Sequence, residues 1–231
     1  ENNRRKRERK SSVLRDEGSF SILLQSLAAT RVPDVPTKAL ERAKQAHSIL
    51  QKMISFDPAS RLFQPSAEHF ASVMEAWSRS YHLDAANFNQ QLMDRLLQES
   101  ERNADMAPSA AHYNALIISW GYSRSPHAFR NVLRTFDLAR VSGTRFDLRS
   151  FAAVLLALAR SSTVEGAMAA ENVLSHMLSD AVIPNVACYN SVMYAWRCSG
   201  TPYVFDRCRD VFDRLLQAYE ASGFDADLRP D

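Results

Sequence analysis

Residues that interrupt helices are scarce in this chain of 231 residues, which contains only 6 glycines and 9 prolines. That scarcity argues against a loop-rich β-sandwich and against a low-complexity chain. Alanine, leucine and arginine are abundant instead, and all three favour helices. Because 46% of the residues are hydrophobic, the chain can bury a sizeable core, and its length suits one large domain or a short repeat array.

Cysteine is also rare, and the three cysteines (Cys188, Cys198 and Cys208) lie ten residues apart. An odd number without a close pair argues against a disulfide framework and against a metal knuckle, so we expect reduced thiols in or near a helical core. No apolar run approaches the roughly 18 residues that span a bilayer, and no signal-peptide core is present, so no membrane partner is predicted. The final "RPD" resembles the start of a further unit, which suggests a piece of a longer polypeptide.

Sequence signatures of catalysis are missing. The six histidines are scattered, without an HExxH motif or a Cys-x-x-Cys partner. There is no glycine-rich phosphate loop and no G-x-S-x-G elbow. We therefore predict no enzyme, no catalytic or metal-ligating residue and no cofactor.

Positive charge is concentrated at the start of the chain, although the net charge is only +2. The first ten residues, "ENNRRKRERK", contain six basic and two acidic residues, so the rest of the chain sums to −2. Residues 1–14 therefore form a separate basic head. It could bind phosphates, or it could be a solvated tail or a helix extension.

Two stretches of the chain repeat one pattern: "PSAAHYNALIISWGYS" (108–123) and "PNVACYNSVMYAWRCSG" (184–200). Both contain Pro, then Tyr-Asn, and then Trp seven residues after the Tyr. Five segments align on this aromatic column: Phe20, Phe70, Tyr113, Phe151 and Tyr189. The residues seven positions later are Leu27, Trp77, Trp120, Leu158 and Trp196, which include every tryptophan of the chain. A second column is formed by Leu50, Met93, Phe136, Leu174 and Phe212. We expect these columns to be core.

Each segment predicts two amphipathic helices. Tyr113, Leu116, Ile117 and Trp120 follow the i, i+3, i+4, i+7 spacing of one apolar stripe. A single helix pair cannot bury its own stripes, whereas stacked pairs can. The sequence therefore predicts an all-α fold, a right-handed α-solenoid of about five stacked helix-turn-helix repeats. The predicted repeats cover residues 15–64, 65–107, 108–145, 146–183 and 184–229, with another beginning at 230.

These columns resemble the pentatricopeptide repeat family, whose helix hairpins are close relatives of the tetratricopeptide repeat. The stretches "TFDLARVSGTRFDLRSF" (135–151) and "VLSHMLSDAVIPNVACYN" (173–190) resemble the family's passage from a second helix into the next repeat. Two departures are Phe146, which stands where the family has Pro, and Ala181, which stands where Gly is usual.

The resemblance implies binding of single-stranded RNA, one base per repeat. It assigns a first reader to the residue after the aromatic, about 100° around the helix, and a second reader to the residue after the joint Pro. Carried over in order, the pairs are Ser21 with Ser66, Ala71 with Ser109, Asn114 with Asp147, Ala152 with Asn185, and Asn190 with Asp231. Asn with Asp implies uridine opposite repeats three and five, while Ala71 and Ala152 cannot bond a base.

Three functions remain open at this stage. The first is RNA binding in organellar RNA maturation, stability or translation, in a mitochondrion or plastid, as the resemblance implies. The second is a protein-binding helical scaffold, which the lack of apolar base clamps three residues before the first readers favours. The third is a structural subunit of an organellar ribonucleoprotein such as the mitochondrial ribosome, in contact with ribosomal RNA. An exposed Asn on a repeat helix can also be an ordinary solvated residue.

Overall fold

The computed structural model describes residues 17–29, 36–55, 65–123, 125, 127–223 and 226–229. The predicted all-α class is confirmed, since these ranges contain ten α-helices and no strand. The helices are α1 (Glu17–Ala29), α2 (Pro36–Ser55), α3 (Ala67–Ser80), α4 (Ala85–Ser100), α5 (Ala110–Tyr122), α6 (Ala128–Val141), α7 (Leu148–Ala159), α8 (Val164–Ser179), α9 (Val186–Cys198) and α10 (Val204–Ala221). Each predicted repeat thus holds two helices, of which the odd-numbered one comes first. The basic head and Asp231 lie outside the described residues.

Helices that are neighbours in sequence pack against each other within two compact units. The units are Glu1–Ala115 and Leu116–Asp231, and their division falls within α5. In the first unit α1 packs on α2 and α3, and α3 packs on α2 and α4. In the second unit α7 packs on α6, α8 and α9, and α9 packs on α8 and α10. First helices of consecutive repeats therefore contact each other directly in both units.

The two aligned columns mostly form the core. Four aromatics of the first column are buried and Phe20 is half-buried, while all three tryptophans are buried. In the second column Leu50, Met93, Phe136 and Leu174 are buried. The expectation is wrong for Phe212, whose exposed fraction is 38%. Its helix α10 buries Val211 and Leu215, and the described part of the chain contains no α-helix after α10 that could cover the adjacent face.

The departure at Phe146 has a packing explanation. Phe146 is buried and stacks on Phe136, with ring centroids 5.4 Å apart and an interplanar angle of 26°. It also meets Phe151 edge to face at 5.8 Å. Such aromatic pairs stabilise by about 0.5–1.5 kcal/mol beyond the area they bury. Phe146 therefore joins α6 to α7 through its contacts with Phe136 and Phe151.

The departure at Ala181 occurs where the backbone turns out of α8. Ala181 has a φ of +57°, and Gly143, at the matching position after α6, has a φ of +73°. The two helix ends make equivalent hydrogen bonds. Val182 N–H donates to the Met177 carbonyl, and Thr144 N–H donates to the Ala139 carbonyl. This is the Schellman ending, which requires a left-handed residue and favours glycine. Alanine occupies that conformation at an energetic cost.

The helices α5 and α7 approach each other closely at Gly121. A Cβ atom built on Gly121 would lie 2.6 Å from the Cβ and 2.9 Å from the Cα of Ala157. Real Cβ atoms do not pack that closely, so the contact between these two first helices depends on a position without a side chain.

Candidate nucleic-acid interface

The predicted second readers lie immediately before first helices. Asp147 and Asn185 are the N-caps of α7 and α9. The Asp147 Oδ1 atom accepts hydrogen bonds from Ser150 N–H at 2.8 Å and from Ser150 O–H at 2.7 Å. The Asn185 Oδ1 atom accepts one from Cys188 N–H at 3.1 Å. These bonds satisfy backbone donors that the helix cannot pair, so helix initiation alone explains both residue types.

The bonds at the start of α7 also fix the charge of Asp147. Hydrogen bonds from the Ser150 side chain and backbone hold the pKa of the Asp147 carboxyl below its ordinary value. Asp147 is exposed, so it is an anion at the surface at neutral pH. A carboxylate at a helix N-terminus is favoured by the helix dipole.

Ser66 and Ser109 immediately precede α3 and α5, and each is hydrogen-bonded to a histidine of the helix that follows. The backbone N–H of Ser66 donates to Nδ1 of His69 at 2.9 Å, and that of Ser109 donates to Nδ1 of His112 at 3.0 Å. Each histidine thus takes the place that Glu or Gln has in a capping box. The sequence signal is "SAEHF" at 66–70 and "SAAHY" at 109–113, in which His follows Ser by three residues and matches no metal or catalytic motif.

These histidines also connect consecutive first helices. Because a backbone N–H can only donate, Nδ1 of each ring must be unprotonated, and in the neutral ring the proton is on Nε2. His112 Nε2 donates to the Ala67 carbonyl at 2.8 Å, and His69 Nε2 bonds to the Ser21 hydroxyl oxygen at 2.8 Å. Burial lowers the pKa of His112, which favours the neutral form that this geometry requires.

The predicted first readers differ in accessibility. Asn190 is exposed, whereas Asn114, Ala71 and Ala152 are half-buried. Ser21 is half-buried and bonds to His69, so its hydroxyl contributes to the contact between α1 and α3. Asn190 is therefore the predicted first reader with the clearest access to a ligand among those described.

The helices α7 and α9 pack against each other, and each carries a stripe of exposed side chains. Residues spaced three, four and seven apart lie on one side of a helix. We call these two stripes together the first-helix face; its members are Arg149, Ala152, Leu156 and Arg160 from α7 and its C-cap, and Ala187, Asn190, Tyr194 and Arg197 from α9. All of them are exposed except Ala152, which is half-buried.

Positive charge predominates on the first-helix face. The helices α5, α7 and α9 contain no Asp or Glu, whereas Arg149, Arg160 and Arg197 lie on α7, on its C-cap and on α9. The N-cap of α7 is the exposed anion Asp147, which interacts electrostatically with Arg149. By contrast, α3 carries Glu68 and Glu75 beside Arg79, and the second helix α10 carries both signs. The three arginines thus create a local positive surface, although the whole chain is nearly neutral.

Two arginines of this face lie over aromatic rings. Arg197 Cζ is 4.8 Å from the centroid of the Tyr194 ring, and Arg160 Cζ is 3.8 Å from that of Tyr122. Both distances fit cation–π contacts. Sequence reasoning missed Tyr194, Leu156 and Arg197, although a signal was present: the residues five after the aromatic column are Ile118, Leu156 and Tyr194 in repeats three to five.

The thiols and other ligating groups show no assembled site in the described ranges. No group of three or more His, Cys, Asp or Glu side chains that could hold a metal ion occurs there. The cysteines are free; Cys188 is buried and the other two are half-buried. Burial raises the pKa of the Cys188 and Cys208 thiols. A raised pKa lowers the thiolate fraction and hence the reactivity.

Comparison with known proteins gives no family: no family profile matches the chain, and no curated protein matches it. None of the described helices is long and apolar enough to cross a membrane.

Proposed function

We propose that the chain is a right-handed α-solenoid of about five pentatricopeptide-like repeats that binds single-stranded RNA along its first helices. The repeated packing of first helix on first helix, and of second helix on the next first helix, supports the stacked arrangement. In such arrays successive repeats present equivalent positions along one surface. The RNA would lie across α7 and α9, roughly one nucleotide per repeat.

The observation that carries this proposal is the charge of the first-helix face. Arg149, Arg160 and Arg197 are exposed there, no carboxylate lies within α5, α7 or α9, and the one at the N-cap of α7 is Asp147. Most affinity for nucleic acids comes from cationic side chains that neutralise phosphates. A surface with arginines, an exposed amide and an exposed aromatic ring suits a strand that offers phosphates and unstacked bases.

Base preference would come from the amide side chains. The exposed Asn190 amide offers a donor and an acceptor to a base edge. Following the family resemblance, Asn114 with Asp147 and Asn190 with Asp231 would favour uridine at repeats three and five. Repeats two and four would discriminate little, because Ala71 and Ala152 have no polar group. The N-cap bonds of Asp147 hold its carboxylate in place and leave it exposed.

The biological role that follows rests on the resemblance. It is organellar RNA maturation, stability or translation, in a mitochondrion or plastid. The mechanism would be occupancy, in which bound RNA is shielded or presented to other factors, without catalysis or a cofactor.

Selection from a randomised RNA pool tests the proposal. The purified chain should enrich RNAs with uridine at two positions separated by one nucleotide. Asn190→Ala should remove the preference at one of them, whereas Gln217→Ala, at an exposed position of the second helix α10, should leave it unchanged. A pool that shows no enrichment over beads alone would contradict RNA binding.

A protein-binding scaffold or a structural subunit of an organellar ribonucleoprotein is the second candidate. The exposed aromatics of α10 favour it: Phe205 is 74% exposed and Phe212 is 38% exposed. Large exposed apolar side chains close together mark protein interfaces. Co-sedimentation with organellar ribosomal particles that persists when the first-helix arginines are replaced by glutamine would favour this candidate.

A further inference from the structure

We infer that Tyr194 is a stacking platform for a nucleobase and that Arg197 beside it binds the adjoining phosphate. The inference rests on the proposed RNA-binding function and adds a contact that the paired readers do not supply. Its ligand is an unpaired nucleotide of single-stranded RNA.

The position of Tyr194 on α9 places it beside the predicted reader. It comes four residues after Asn190, so the two side chains are neighbours on one side of the helix, one turn apart. Both are exposed, and the exposed fraction of Tyr194 is 46%. A base that meets the Asn190 amide by its edge therefore has a flat ring within reach for its face.

The other tyrosine of the same helix has a different environment. Tyr189 is buried in the core, and burial raises the pKa of its phenol. Tyr194 keeps nearly half of its surface in solvent, so packing does not account fully for an aromatic residue there. The matching position in α7 is Leu156, which is 48% exposed. Consecutive repeats thus present apolar surface at the same place.

Arg197 determines which ligand fits this ring. Its Cζ atom lies 4.8 Å from the Tyr194 centroid, and α9 contains no Asp or Glu that could neutralise it. Bases stack on aromatic rings and on guanidinium planes, while the same cation neutralises phosphate. An aromatic ring and an exposed arginine on one face thus match a nucleotide in both chemistry and charge.

The test uses the full chain and two fluorescent probes, an oligouridine and an abasic ribose-phosphate strand of equal length. Tyr194→Ala should weaken binding to oligouridine about tenfold, as for loss of one stacked base. Tyr194→Phe should bind like the wild type, because it keeps the ring. Neither Tyr194→Ala nor Tyr194→Phe should change the weaker binding to the abasic strand, which has phosphates but no bases.

Two further variants keep the result interpretable. Tyr194→Leu places the residue of α7 at this position, so it preserves apolar volume and the fold while removing the ring; it should bind as weakly as Tyr194→Ala. Tyr203→Ala removes another exposed tyrosine, which precedes α10 and is 66% exposed, and should have no effect. Circular dichroism checks that each variant is helical.

The outcomes separate this inference from the proposed function. A wild-type chain that binds no RNA probe overturns both. If Tyr194→Leu binds oligouridine with the same affinity as the wild type, stacking is overturned while RNA binding stands. Equal loss of oligouridine and abasic binding in Tyr194→Leu also overturns stacking, since it shows that the ring does not act on the base. Competition by an acidic peptide that is stronger than by oligouridine would assign the face to a protein ligand and overturn the inference.

Discussion

Gly121 of α5 and Ala157 of α7 lie so close together that position 121 has no room for a side chain. A Cβ atom at Gly121 would lie 2.6 Å from that of Ala157, and the Ala157 Cα would be only 2.9 Å away. Because backbone is involved, a side-chain rotation cannot relieve the clash. Gly121→Ala should therefore destabilise the chain: overpacking costs about 1–3 kcal/mol, while the gain in helix propensity is about 1 kcal/mol.

Urea unfolding of Gly121→Ala and of the double variant Gly121→Ala/Ala157→Gly measures this contact. The double variant should recover part of the lost unfolding free energy, because it exchanges which helix carries the methyl group. If Gly121→Ala alone raises stability, as it would at an open helix position, the close packing of these first helices is wrong.

Stability should depend on pH through His112. Burial lowers the pKa of His112 from its ordinary 6.5, so the unfolded chain binds more protons between the two values. The free energy of unfolding should thus be fully present above pH 6.5 and fall as the pH drops toward the folded-state pKa. His112→Gln keeps an acceptor for Ser109 N–H and cannot titrate, so its stability should change less with pH.

Urea unfolding at about pH 8 and about pH 5 compares the two proteins on either side of the ordinary histidine pKa. Burial also lowers the pKa of His47, so some pH dependence should remain in His112→Gln. Identical pH dependence in both proteins would show that the cap at α5 does not require a neutral ring.

Ala181 should be replaceable by glycine with a gain in stability. Its φ of +57° disfavours a side chain, and the matching Gly143 shows the residue that suits this ending. We expect Ala181→Gly to raise the unfolding free energy by about 0.5–1 kcal/mol, the relief of left-handed strain less the entropy gained by the unfolded chain.

Thermal and urea unfolding measure the effect of Ala181→Gly. The matched control is Ala169→Gly, at a half-buried position inside α8, which should lose about 0.5–1 kcal/mol. A loss of stability in both variants would contradict the left-handed strain at Ala181.

The helices were predictable because their signal is local. The stripe from Tyr113 to Trp120 requires only a 3.6-residue period, and the shared spacing of five segments identified the core columns. Phe212 was mispredicted because its burial depends on what covers α10, whereas its local pattern matches that of the buried Phe136.

The surface was less predictable for a similar reason. His69 and His112 fill a capping position that is normally recognised by Glu or Gln, so their role emerged only from the geometry. Tyr189 and Tyr194 lie five residues apart in one helix, yet one is buried and the other exposed. The exposure of Tyr194 and the position of Arg197 over its ring depend on how the helices pack, which the local pattern does not encode.

The salt dependence of RNA binding tests the central claim most directly. Each phosphate contact to a single strand contributes about −0.7 to the slope of log K against log salt, so replacing Arg149, Arg160 and Arg197 by glutamine should make the slope shallower by about 2. The control replaces three exposed arginines of second helices, Arg130, Arg134 and Arg209, and should keep the wild-type slope. A first-helix triple variant with the wild-type slope and affinity would contradict the account, as would a wild-type chain that binds no single-stranded RNA.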